Sequence, residues 1–91
     1  MPHAHDTIEQ VFREEYGRII ATLIRMTGSF DRAEEALQEA FTSAATNWPK
    51  DGVPRNPGAW LTTVAHRKVV DSIRRDKTRE AKQSQLGGQT I

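Results

Sequence analysis

The chain has 91 residues, of which 36% are apolar and 27% are charged, so it can form one small domain with a modest core. It contains no cysteine, which excludes disulfides and thiolate metal sites. No apolar run approaches the roughly 18 residues that would span a bilayer, and the N-terminus lacks a signal-peptide pattern. We therefore expect a protein of the cytoplasm with no membrane partner.

The formal net charge is only +1, but the two halves of the chain differ in sign. Residues 1–48 contain four arginines and eight acids, whereas residues 49–91 contain nine lysines or arginines and four acids. Such asymmetry indicates two surfaces with different partners, one basic and one acidic. Ordinary solvated helix faces explain the charges equally well, so charge alone leaves both interpretations open.

The first predicted element is an amphipathic helix over residues 7–27, which we interpret as scaffold. Thr7 is its candidate N-cap, Gln10 stands in the capping-box position, and Gly28 is suited to a left-handed stop. Its apolar stripe consists of Ile8, Phe12, Tyr16, Ile19, Leu23 and Met26.

A second helix is predicted over residues 31–47, with Asp31 as its cap and Trp48-Pro49 as its end. One face carries alanines, Leu37 and Phe41, which allow close helix packing. The other face is acidic, and carries Asp31, Glu34, Glu35 and Gln38, with Glu39 at its edge. The pattern alone favours a solvated face over a binding surface.

Residues 49–56 are predicted to form an irregular connection of eight residues, a length that often carries function. Asn56-Pro57 then predicts the start of a third helix over residues 57–79. One side of this helix carries Trp60, Thr63, Arg67, Asp71 and Arg74, and the opposite side carries Leu61, Ala65, Val69 and Ile73. The apolar side can pack, while the other side suits a polyanion with bases. Residues 80–91 are polar and glycine-interrupted, which predicts a linker or a disordered tail.

These elements predict an all-α fold, a three-helix bundle with room for a fourth short turn. Enzyme motifs are missing from the sequence, including H-E-x-x-H, G-x-S-x-G and phosphate-binding glycine loops. The adjacent acids at Glu14/Glu15 and Glu34/Glu35 diverge around a helix and form no acid/base couple. We expect no enzymatic activity, no metal site and no cofactor.

Two stretches, DRAEEALQEAF and NPGAWLTTVAHRKVVDSIRR, resemble region 2 of the extracytoplasmic-function (ECF) sigma factors, initiation subunits of bacterial RNA polymerase. The resemblance runs from Ile8 to about Arg79 and implies a sigma region 2 bundle over residues 1–79. Family members carry a second helical domain, region 4, to which nothing in these residues corresponds. The resemblance therefore implies an isolated region 2 domain, either excised or truncated.

In this family the acidic second helix binds the clamp coiled coil of the largest polymerase subunit. Residue by residue, the resemblance implies polymerase contacts at Asp31, Glu34, Glu35, Gln38 and Glu39. Carboxylates that meet arginines form charge-assisted hydrogen bonds, so the acidic face becomes a binding surface under this interpretation. An anti-sigma factor or a fused regulatory domain is a further candidate partner.

The connection and third helix resemble the element that opens the minus-ten promoter region and captures the non-template strand. Arg55 and Asn56 are the candidates for polar base contacts, and Trp60 for stacking at the edge of the melted region. The alternative, purely structural roles are N-capping for Asn56 and core packing for Trp60. The full implied DNA set is Lys50, Arg55, Asn56, Trp60, Thr63, His66, Arg67, Lys68, Arg74 and Arg75. His66 is the weakest member, because the family usually has Arg-Asn where this chain has His66-Arg67.

A helical protein-interaction module, such as a sigma mimic or adaptor without DNA binding, is the alternative function. Arg55, Asn56 and Trp60 distinguish the two hypotheses, since only a sigma domain needs them for nucleic-acid affinity.

Overall fold

The computed structural model describes the backbone of residues 4–89 and the side chains of residues 6–82. These residues form three helices: α1 (Ala4–Thr27), α2 (Phe30–Asp51) and α3 (Pro57–Gln89). The predicted all-α, three-helix bundle is confirmed, and the described residues contain no fourth helical element. No helix among them is long and apolar enough to cross a membrane.

The middle helix, α2, packs against both other helices, while α1 and α3 touch each other less. Its apolar face consists largely of alanines, which let the neighbouring helices approach closely. Leu23 of α1, Leu37 of α2 and Leu61 of α3 meet in the core and are fully buried. Burial of such side chains is the main favourable term of folding, about 1.5–3 kcal/mol each. As predicted, Leu61 and Ala65 are core residues and Ile73 packs against the core, as does Val64.

The turn between α1 and α2 has only two residues. Gly28 adopts a left-handed φ of 69°, and its N–H donates to the Ile24 carbonyl at 2.7 Å, which closes α1. Ser29 is the N-cap of α2, because its Oγ accepts from the Arg32 N–H at 3.2 Å. The prediction that Asp31 caps this helix is wrong, since Asp31 lies in the first turn. Likewise, Thr7 is no cap, because α1 begins at Ala4.

The end of α2 also differs from the prediction. The helix continues past Pro49 to Asp51, so the connection comprises residues 52–56 and is five residues long. Two features hold the last turn: Trp48 is only 2% exposed, and the Gly52 N–H donates to the Trp48 carbonyl at 2.8 Å. Pro49 removes one backbone donor from this last turn, yet the helix continues through it to Asp51.

The start of α3 follows the sequence pattern. The Asn56 side-chain oxygen accepts from the Ala59 N–H at 3.1 Å, so Asn56 is the N-cap and Pro57 the first helical residue. The helix then continues to Gln89 rather than ending near Arg79. Residues 80–86 contain several good helix formers, which is consistent with a helical conformation, and their role as a linker stays a prediction. Of the predicted tail, residues 90 and 91 lie outside the described residues.

Candidate nucleic-acid and protein interfaces

The first charged surface is the acidic face of α2. Glu35, Gln38 and Glu39 are exposed, as is Asp31 in the first turn. Glu34 is half-buried, and its carboxylate interacts with the Tyr16 hydroxyl of α1. Burial, followed by the charge of Glu34, raises the pKa of Tyr16. Four of the five predicted polymerase residues are therefore freely accessible, and the fifth is partly engaged inside the bundle.

The second surface is basic and follows α3. His66, Arg67, Arg74 and Arg75 are exposed and Lys68 is half-buried. Arg74 and Arg75 line a shallow cleft with Thr78, Arg79 and Lys82 further along the same helix. Arg79 and Lys82 were not among the predicted DNA residues. Arg79 and Lys82 follow Arg75 by four and seven residues, a helical spacing that places all three cations on one side of α3 and extends the basic surface.

A cleft of 520 Å³ separates α2 from α3, and we call it the α2–α3 cleft. Four of the predicted DNA residues line it: Trp60, Thr63, Arg67 and Lys68. The remaining lining residues are Ser43, Asn47, Ala59, Val64 and Asp71. Ser43 and Asn47 come from α2 and were not predicted, because they belong to neither the apolar face nor the acidic face assigned to that helix.

Trp60 has a double role in this cleft. It is half-buried and packs on the core, and its ring lies edge-on to the buried Trp48 ring, with centroids 5.3 Å apart and an interplanar angle of 66°. Its other surface lines the α2–α3 cleft. Core packing and partner contact, the two alternatives for Trp60, are therefore compatible.

Asn56 and Thr63 line a separate cleft between α1 and α3, together with Arg18 and Thr22 of α1. Gly58 is buried at this crossing, where a Cβ atom would lie 3.1 Å from the Glu15 carboxyl carbon. Glu15 in turn forms an ion pair with Arg18. The N-terminus of α3 is thus packed tightly against α1, while Asn56 remains exposed.

The connection itself is open to solvent. Lys50, Arg55 and Asn56 are exposed, and Lys50 and Arg55 lie outside these clefts, as does His66. The predicted DNA residues therefore do not converge on one pocket. In chain order they extend from the last turn of α2 through the connection and along α3 to Arg75, and we call this set the basic band.

Sequence comparison adds a direct observation. The family described as Sigma-70 region 2 matches residues 11–79 of this chain, which include all of α2 and the part of α3 up to residue 79. The chain belongs to the sigma-70 region 2 family. This confirms the predicted membership, and relatives named as ECF sigma factors support the ECF branch.

Three relatives show how much of a longer protein this region 2 domain represents. An uncharacterised protein of Rhizobium meliloti (strain 1021) is 42% identical over 68% of this chain and 15% of its own length. The RNA polymerase sigma factor YlaC of Bacillus subtilis (strain 168) is 30% identical over 78% of this chain and 41% of its own. The ECF RNA polymerase sigma factor SigK of Mycobacterium sp. (strain KMS) is 29% identical over 84% of this chain and 38% of its own length. The chain thus spans less than half of these relatives, and no solved structure matches it significantly.

The region 2 domain also contains a link that sequence analysis missed. The Arg32 guanidinium of α2 donates to the Ser72 hydroxyl at 2.8 Å and to the Asp76 carboxylate at 2.6 Å, both on α3. Asp31 and Glu35 of the acidic face line the same cleft as Arg75 of the basic face. The two charged surfaces therefore meet at this link, which joins two residues, Arg32 and Asp76, that lie 44 positions apart in the sequence.

Proposed function

We propose that this region 2 domain binds the clamp coiled coil of core RNA polymerase through the acidic face of α2. We further propose that it captures the non-template strand of a minus-ten promoter element with the connection and α3. The observation that carries this proposal is that exposed acids lie on α2 and exposed bases on α3, within a chain that matches the sigma region 2 family.

The acidic face supports the first half of the proposal. Glu35 and Glu39 are exposed and make no ion pair among the described residues, so their carboxylates are available to basic side chains of a partner. Charge-assisted hydrogen bonds of this kind contribute about 1.5–3 kcal/mol each where the geometry is good. An interface built on them weakens as salt is added.

The band of basic and aromatic residues supports the second half. Arg67, Arg74 and Arg75 can neutralise phosphates, which gives affinity without sequence choice. Trp60 and Asn56 offer stacking and hydrogen bonding, which require bases that have left the duplex. A surface that combines both kinds of contact rewards the separated strand and so shifts the melting equilibrium toward the open state.

The test uses two variants and two binding assays. Charge reversal at Glu35 and Glu39 together should weaken binding to core polymerase at least tenfold and leave binding to a minus-ten non-template oligonucleotide within about twofold, since each reversal removes a charge-assisted contact. Charge reversal at Asp6 and Glu14, two exposed acids of α1, is the matched control and should change neither. Equal loss of polymerase binding in both double variants would contradict the proposed clamp surface.

The second assay compares the oligonucleotide with the same sequence as duplex at matched salt. The proposal requires tighter binding of the single strand, and replacement of Arg55, Asn56 and Trp60 by alanine should remove that preference. Retention of nucleic-acid affinity in this triple variant, with polymerase binding intact, would favour the protein-interaction module instead.

A further inference from the structure

We propose that Arg32 of α2 is a positioning residue for nucleic-acid binding: it holds the Asp76 carboxylate and thereby leaves Arg75 and Arg79 of α3 available to phosphates. This inference rests on the proposed function and adds to it a residue that acts without touching the strand. Arg32 belongs to neither of the two sets of contact residues that the sequence predicted.

Arg32 is anchored on α3 at two points that lie one helical turn apart. Its Nη1 donates to the Ser72 hydroxyl at 2.8 Å, and its Nη2 donates to the Asp76 carboxylate at 2.6 Å. Because the guanidinium is a rigid planar fork, two contacts fix its direction toward Asp76. Parts of both side chains remain accessible, 35% for Arg32 and 41% for Asp76. The pair therefore lies where a negatively charged strand on α3 can approach it.

The cleft around this pair contains equal numbers of cations and acids. The cations are Arg32, Arg75 and Arg79, and the acids are Asp31, Glu35 and Asp76. Arg32 is the cation that α2 contributes, so without it two cations of α3 would face three acids. Such an excess of carboxylates draws the remaining guanidiniums toward the protein and lowers the potential that attracts a polyanion.

Asp76 is the acid best placed to compete with phosphate for these guanidiniums. The hydrogen bond from Arg32 lowers the pKa of Asp76, and the nearby charges of Arg79 and Arg75 lower it further. Arg79 follows Asp76 by three residues, a spacing at which helical side chains meet. In the structure Arg32 takes this carboxylate, and neither Arg75 nor Arg79 forms an ion pair among the described residues. Loss of Arg32 would leave Asp76 to pair with Arg79.

The cations that Arg32 leaves unpaired form a continuous surface. Arg75, Arg79 and Lys82 are exposed and line one shallow cleft of α3. Guanidiniums bind phosphate oxygens well, and each phosphate that is neutralised releases counterions from the strand. Arg32 thus contributes to affinity through α3, because it keeps a carboxylate of that surface neutralised.

Fluorescence anisotropy of a labelled single-stranded oligodeoxynucleotide at several salt concentrations tests this role. Arg32→Ala should weaken binding about 2- to 5-fold, the effect of diverting one guanidinium into a surface ion pair. It should also reduce the slope of log affinity against log salt concentration by about 0.7, the value for one lost phosphate contact. Arg32→Lys keeps the charge and a hydrogen bond to Asp76, so it should retain most of the affinity. Urea unfolding would confirm that each variant is folded.

Removal of the Asp76 charge provides the decisive variant. Arg32→Ala/Asp76→Asn should bind within about twofold of the wild type, because Arg79 then has no carboxylate to pair with at this spacing. The matched control is Arg32→Ala/Glu9→Gln, which has the same net charge but removes an exposed acid of α1 that lines a different groove. This control should bind as weakly as Arg32→Ala. In a double-mutant cycle, Arg79→Ala should weaken binding by the wild type and have little further effect on Arg32→Ala.

The outcomes distinguish this inference from the proposed function. If Arg32→Ala binds like the wild type while Arg75→Ala binds more weakly, the role of Arg32 is refuted and the proposed DNA surface stands. If Arg32→Ala/Asp76→Asn stays as weak as Arg32→Ala, Arg32 either contacts the strand itself or only anchors α3, and the role is again refuted. Equal rescue by Glu9→Gln would refute it too, because overall charge would then determine affinity. If the wild-type domain does not bind the strand, the proposed capture fails and this inference fails with it.

Discussion

The Arg32 guanidinium on α2 lies 2.6 Å from the Asp76 carboxylate on α3, and this contact joins the start of the acidic helix to the basic half of its neighbour. Asp76 is surrounded by further cations, since Arg75 and Arg79 flank it on the same helix. The hydrogen bond from Arg32, followed by these charges, lowers the pKa of Asp76 below its ordinary value. This ion pair joins α2 to α3 three residues beyond Ile73, which packs against the core.

This ion pair predicts a pH dependence of stability. A carboxylate whose pKa is lowered in the folded state stabilises the fold above its unfolded pKa, and that contribution is lost as the pH falls through the folded pKa. Asp76→Asn should therefore reduce the acid-side dependence of the free energy of unfolding, measured by urea titration between about pH 5 and pH 3. The effect should be modest, because both side chains are more than a third exposed.

Asp71→Asn is the control for this experiment, because Asp71 lies on the same helix, is exposed and makes no ion pair among the described residues. It should keep the pH dependence of the wild type. Identical pH profiles for Asp76→Asn and the wild type would show that the Arg32 contact does not hold in solution.

Gly17 inside α1 and Gly28 in the turn after it provide a test of that turn. Gly28 has a φ of 69°, where a side chain is strained, so Gly28→Ala should lower the free energy of unfolding by about 1–2 kcal/mol. Gly17 lies inside α1 with no neighbour within 4 Å of an added Cβ, so Gly17→Ala should raise it by about 0.5–1 kcal/mol. Urea unfolding followed by circular dichroism measures both. An unchanged or raised free energy of unfolding in Gly28→Ala would mean that α1 does not end in a left-handed residue at Gly28.

The helices were predictable because they depend on periodicity and on local capping. The Asn56-Pro57 start of α3 is a local pattern, and the structure has it. The apolar stripe of α1 is confirmed only in part, because Ile19 and Leu23 are buried whereas Phe12 and Met26 are exposed. The predicted positions of helix ends were wrong where tertiary contacts determine them. Burial of Trp48 carries α2 past Pro49, a result that depends on the core and cannot be deduced from neighbouring residues.

The charged faces of the candidate sites could also be predicted, since each is carried by one helix. What could not be predicted is which residues of two helices share a cleft. Ser43 and Asn47 face α3 only because α2 crosses it at that level, and the Arg32–Asp76 pair spans 44 residues. Periodicity gives the face of a helix but not the rotation or height at which its neighbour packs.

Tyr16 is the only tyrosine in the chain, so its ionisation can be followed without interference from another phenol. Burial and the nearby Glu34 carboxylate raise its pKa above the ordinary value of 10.0. Glu34→Gln should lower this pKa part of the way, because burial, the larger cause, remains. Ultraviolet absorbance of the phenolate in an alkaline titration measures it.

The same shift has a consequence for stability. An acid whose folded pKa is raised stabilises the fold below its unfolded pKa, and this contribution disappears as the pH rises through the folded pKa. The domain should therefore lose stability above about pH 10, and Glu34→Gln should weaken that dependence. Glu35→Gln removes a neighbouring exposed acid and should leave both properties unchanged. A pKa of Tyr16 that does not respond to Glu34→Gln would place Glu34 away from the phenol.

Arg67 offers a quantitative test of phosphate contact at the rim of the α2–α3 cleft. If its guanidinium neutralises one phosphate, Arg67→Ala should reduce the slope of log affinity against log salt concentration by about 0.7, the value for one contact to a single strand. The loss of affinity should be similar for different sequences, because phosphate contacts carry no base information. Anisotropy titrations of single-stranded oligonucleotides at several salt concentrations measure both quantities.

Arg13→Ala is the matched control for the change in net charge. Arg13 is an exposed residue of α1 and lines a groove with Ile8, Phe12 and Phe41, on a different part of the bundle from the basic band. The variant Arg13→Ala lowers the total charge by the same amount as Arg67→Ala. It should leave the salt slope unchanged, because counterion release depends on phosphates in contact with cations. Equal reductions of the slope in both variants would mean that the domain attracts the strand through its overall charge, and Arg67 would then have no phosphate of its own.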